Sequence, residues 1–70
     1  MLNKNYSVSQ VENGLNVLRS EAKGCKRKDR TWKTHNVLLK RAEQHITACG
    51  GCWEDYRASL SREFADLLNL

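Results

Sequence analysis

The chain has no proline and only four glycines among its 70 residues. A Pro-rich or Gly-rich linker is therefore excluded, and there is no low-complexity tract or internal repeat. Apolar residues nowhere run for the roughly 20 positions that a membrane-spanning helix needs. The opening stretch, Met1-Leu2-Asn3-Lys4-Asn5-Tyr6, lacks the apolar region of a signal peptide. Three cysteines cannot all pair, which does not suit a secreted disulfide framework. Together these absences point to a cytoplasmic protein whose thiols stay reduced, with no membrane partner.

What remains fits one small domain over residues 1–70. Hydrophobic residues make up 40% of the chain, enough for a core and too many for full disorder. Chains below about 70–80 residues bury little surface and frequently gain a metal, disulfides or a second subunit. The net charge of +4 is unevenly spread. Residues 1–22 are neutral, residues 23–42 set eight bases against Asp29, and residues 43–70 are net acidic.

The apolar periodicity predicts three helices and an all-α fold. Overlapping capping-box patterns at Ser7 and Ser9 precede Val8, Val11, Leu15, Leu18 and Ala22, which recur at steps of three and four. This predicts a helix over 8–23, stopped by Gly24 through its tolerance of positive φ. Gly14 within it costs about 1 kcal/mol relative to alanine. A second helix is expected over 32–48, capped by Asp29 or Thr31 and broken by Gly50-Gly51. Its stripes are Trp32, Leu39, Ala42 and Ile46, then Leu38, Ala42, His45 and Cys49. A third helix over 53–68 carries Trp53, Tyr56, Leu60, Phe64 and Leu67, widened by Leu68 and Leu70, with Glu54 and Asp55 in its first turn. No alternating run is long enough for a strand. The stripes are wide enough to leave room for a dimer interface.

The densest chemical signal is His45-Ile46-Thr47-Ala48-Cys49-Gly50-Gly51-Cys52, an H-x3-C-x2-C pattern. His45 and Cys49 project from one helix face, and the two glycines let the chain bring Cys52 back toward them. Such donors suit tetrahedral zinc, with Zn–S of about 2.3 Å. Cys25 is the first candidate for a fourth ligand and His35 the second. The competing reading makes the cysteines small buried hydrophobes at a helix end and His45 an ordinary polar residue. A thioredoxin-like redox site does not suit a chain without a βαβ pattern.

Residues 42–60, which contain this segment, resemble the H-x3-C-x2-C region of the bacterial zinc-binding anti-sigma factors. In that family the His and both Cys bind zinc with an upstream Cys, within a small helical domain that holds a sigma factor. The resemblance implies zinc on His45, Cys49 and Cys52 with Cys25 upstream, and a protein partner in the transcription machinery.

The basic segment gives the second lead. Lys23, Lys26, Arg27, Lys28, Arg30 and Lys33, followed by Lys40 and Arg41, form a local positive field. They could neutralise phosphates, with Trp32 stacking or wedging. Alternatively they form a solvated connector and Trp32 belongs to the core. No nucleophile–base spacing is visible around Ser59, Ser61 or the histidines, so catalysis is not expected. The sequence thus predicts a small regulatory protein bound to a macromolecule: a protein in the anti-sigma manner, or DNA or RNA through residues 23–41. A small basic reading frame of this kind suits a phage or mobile element.

Overall fold

The computed structural model describes residues 6–70. Three helices follow one another: α1 (Val8–Gly24), α2 (Trp32–Ala48) and α3 (Glu54–Leu67). A single 3₁₀ turn, Arg27–Asp29, lies between α1 and α2. The helix bounds fall within one residue of those expected from periodicity, and there is no strand among the described residues. Ser7 caps α1 by accepting from the Gln10 N–H. Thr31, not Asp29, caps α2 by accepting from the Thr34 N–H. No described helix is long and apolar enough to cross a membrane.

Cross-helix contacts establish the topology. His45 reaches Gln10 and Arg41 reaches Glu21, so α2 runs antiparallel to α1. His35 meets Ser61, so α3 runs antiparallel to α2. Tyr6 meets Tyr56 and Arg19 meets Glu63, so α1 and α3 are parallel. The connector between α1 and α2 therefore shares one end of the bundle with the C-terminal end of α3, where Arg27 and Arg30 lie beside Leu68 and Asn69. The turn between α2 and α3 shares the other end with the start of α1.

The core lies along the common axis. Val11, Leu15, Leu18 and Ala22 come from α1, Leu38, Ala42 and Ile46 from α2, and Leu60, Phe64 and Leu68 from α3 and its cap. Each fully buried Leu, Ile or Phe contributes about 1.5–3 kcal/mol. Of the other stripe members, Leu39, Cys49, Trp53, Tyr56 and Leu67 pack half-buried against the core, and three are exposed. Val8 and Trp32 are each 59% exposed and Leu70 is 40% exposed. All three sit at helix ends, where the stripe continues past the last neighbour able to cover it.

Gly24 also departs from expectation. It is the last residue of α1, the chain leaves through an extended Cys25, and Gly24 does not have positive φ. Gly50 does, at φ 85°. There the Gly50 N–H reaches the Thr47 carbonyl and the Gly51 N–H reaches the Ile46 carbonyl, closing α2 in a Schellman arrangement. Asn69, at φ 58°, closes α3 in the same way, with Leu70 N–H on the Ala65 carbonyl.

Candidate functional site: two ends of the bundle

The H-x3-C-x2-C segment occupies the end that holds the start of α1. His45 and Cys49 are neighbours, with Cys49 Sγ 3.9 Å from His45 Nε2. That nitrogen lies 3.0 Å from the Gln10 carbonyl oxygen, which can only accept, so Nε2 carries the proton and donates it. Its lone pair is thereby unavailable to a metal in this arrangement. Cys52 is exposed in the turn beyond Gly51.

Cys25 stands elsewhere. It lines a shallow groove with Thr34, Val37 and Leu38, and its carbonyl accepts from Arg30 Nε at 3.3 Å. From Thr34 to His45 is about 16 Å along α2 at 1.5 Å per residue. His35, the other proposed fourth ligand, is only 3% exposed and belongs to the α2–α3 contact. Its Nε2–H donates to the Ser61 carbonyl at 3.0 Å. Among the described residues no group of three or more His, Cys, Asp or Glu side chains could hold a metal ion. The donors as placed do not fit a closed tetrahedral zinc site.

His45 has a packing role that its spacing concealed. A Cβ built on Gly14 would stand 2.1 Å from His45 Nε2. The imidazole thus lies against bare α1 backbone, and only glycine at position 14 admits it. The same end carries the Tyr6–Tyr56 hydroxyl pair. The hydrogen bond to Tyr6, then partial burial, push the Tyr56 hydroxyl up to about 12.

His35 also brings together a pair that sequence spacing did not reveal. The Ser61 hydroxyl lies 3.3 Å from His35 Nε2. A nucleophile–base reading fails on the proton: Nε2 already gives it to the Ser61 carbonyl and has no lone pair to receive one from the hydroxyl. The pair ties α3 to α2 through a buried ring.

The opposite end carries the charge. Lys23, Lys26, Arg27, Lys28 and Lys33 are exposed, and among the described residues none of them forms an ion pair. Arg30 is half-buried against the Cys25 carbonyl. The connector has internal bonds: Asp29 N–H to the Lys26 carbonyl at 2.8 Å, Thr31 N–H to the Asp29 carbonyl at 3.0 Å. Two expected members of the basic set are placed differently. Arg41 is paired with Glu21 at 2.6 Å, and Lys40 faces α3 beside Glu43.

The acids of α3 are also distributed. Glu54 and Asp55 begin the helix at the far end from the connector, and Glu63 is held by Arg19. The Arg19 guanidinium is raised above its ordinary value, chiefly by its bond to Glu63. Trp32, the first residue of α2, follows the connector directly with more than half its surface open. Its ring packs edge-on with His35, centroids 4.9 Å apart.

Comparison with protein families, curated proteins and solved structures returned no match.

Proposed function

We propose that this chain is a small cytoplasmic nucleic-acid-binding protein that acts by contact and not by catalysis, modulating the nucleic acid it holds. The observation that carries this reading is the gathering of five exposed bases without ion pairs among the described residues: Lys26, Arg27 and Lys28 on the hydrogen-bonded connector, with Lys23 and Lys33 on the helix turns that flank it and Asp29 the lone acid among them. Like charges collected this closely oppose the compact state. In a domain with so small a core, a feature that works against stability is where function is expected. Of the acids on α3, Glu54 and Asp55 begin the helix at the other end, while Asp66 lies in its last turn.

A protein partner in the transcription machinery is the second reading, and zinc would accompany it. It rests on the resemblance of residues 42–60 to anti-sigma factors. The commitment of His45 Nε2 to Gln10 and the distance of Cys25 weigh against that route.

The test replaces Lys26, Arg27, Lys28 and Lys33 by Ser and measures binding to unrelated DNA and RNA across a salt series. Arg30 is left in place because it braces the connector. The plot of log affinity against log salt should flatten by about 0.9 per lost phosphate contact on duplex DNA and about 0.7 on a single strand. Equal affinity of parent and variant would show the segment to be a solvated connector.

A further inference from the structure

Resting on the reading just given, we infer that the connector end takes single-stranded nucleic acid in preference to duplex, by stacking the Trp32 indole on an unpaired base. Trp32 is 59% exposed in a chain whose other tryptophan, Trp53, packs against the core. It opens α2 immediately after the connector, between Arg30 and Lys33 in sequence. His35, buried and bonded to Ser61, occupies the inward position one turn along α2 and meets the indole at an interplanar angle of 76°. The indole is thereby supported from within while the rest of its surface faces solvent.

An aromatic face beside unpaired cations is the combination that single-strand binders use. The cations follow the phosphates, and the ring stacks on a base of any identity. A duplex offers the phosphates but keeps its bases stacked on one another, and separating a step costs a few kcal/mol. A lone tryptophan on a short connector has little else with which to offset that cost. The helices add little to this: α1 and α3 carry acids, and on α2 Arg41 is engaged with Glu21, leaving Lys33 and Lys40. Preference for the unpaired strand follows from the indole, while attraction to both forms follows from the lysines.

The experiment uses the full chain with Trp53→Phe, so that fluorescence reports Trp32 alone. It is titrated with an oligothymidylate, a hairpin duplex of equal phosphate count, and anionic lipid vesicles. The oligothymidylate should bind more tightly than the duplex and quench the indole. Trp32→Ala, followed by the anisotropy of labelled nucleic acid, should lose about tenfold on the single strand, the scale of one stacked base, and change duplex affinity little. Trp32→Phe should recover part of the loss, and circular dichroism should show both variants folded. If Trp32→Ala leaves single-strand affinity unchanged, or lowers both affinities equally, stacking is overturned while phosphate binding stands. If neither nucleic acid binds, or only the vesicles do, the functional reading fails as well.

Discussion

A methyl group on Gly14 would drive into the imidazole of His45, whose Nε2 would lie 2.1 Å from it. Helix propensity alone favours Gly14→Ala by about 1 kcal/mol. Overpacking of this kind costs about 1–3 kcal/mol, so the clash should win. Gly14→Ala should melt lower than the parent, and in a His45→Ala background the same change should be neutral or stabilising. Equal effects in both backgrounds, read by thermal denaturation, would mean that the two residues are not coupled. Tyr56 gives the pH test. Its hydroxyl is held neutral by Tyr6 up to about 12, above the ordinary value of 10.0. A group raised on folding adds stability that is complete below its unfolded value and disappears as pH climbs through the folded one. The contribution should thus be intact at neutral pH and vanish between about 10 and 12. Tyrosinate absorbance of Tyr6→Phe, which leaves Tyr56 alone, should show its midpoint back near the ordinary value; an unchanged high midpoint would exclude the Tyr6 bond as the cause.

At the scale of the helices, two glycines near helix ends behave oppositely. Gly50 sits at φ 85°, where a Cβ is strained, so Gly50→Ala should cost about 1–2 kcal/mol. Gly24 lacks positive φ, and its absent Cβ would meet nothing within 4 Å. Gly24→Ala should therefore gain about 0.4–1 kcal/mol by restricting the unfolded chain. Melting curves of the two variants on opposite sides of the parent would confirm the contrast; two shifts of the same sign would refute it. Helix bounds were legible because caps and stripes are local: Ser7, Thr31 and Gly50 act within a turn of themselves. The Gly14–His45 and His35–Ser61 contacts were not, since each depends on the register between helices distant in sequence. The sequence leaves open whether Trp32 is exposed or in the core for a related reason. A stripe gives the direction in which a residue points but not how far its neighbour extends to cover it. The H-x3-C-x2-C spacing correctly set His45 beside Cys49, yet it carried no information about Gln10, whose carbonyl holds the ring.

Across the whole molecule, the connector bases and the Glu54–Asp55 pair sit at opposite ends of a bundle whose longest helices span about 25 Å at 1.5 Å per residue. That exceeds the Debye length of about 10 Å at 0.1 M salt, so neither end neutralises the other. A body charged in this way is an electric dipole, and a polyanion's field exerts a torque on it as well as a pull. The chain should rotate connector-first while still approaching, so that encounters beginning on a helix flank are turned into productive ones. Such steering appears in the association rate, which should fall steeply as salt is added. The dissociation rate, governed by the seated contact, should change much less, and stopped-flow fluorescence separates the two. Rates that respond to salt in the reverse order would remove the alignment. With it, the partition of charge between the ends acts before binding, as a compass needle fixed to the long axis of the bundle.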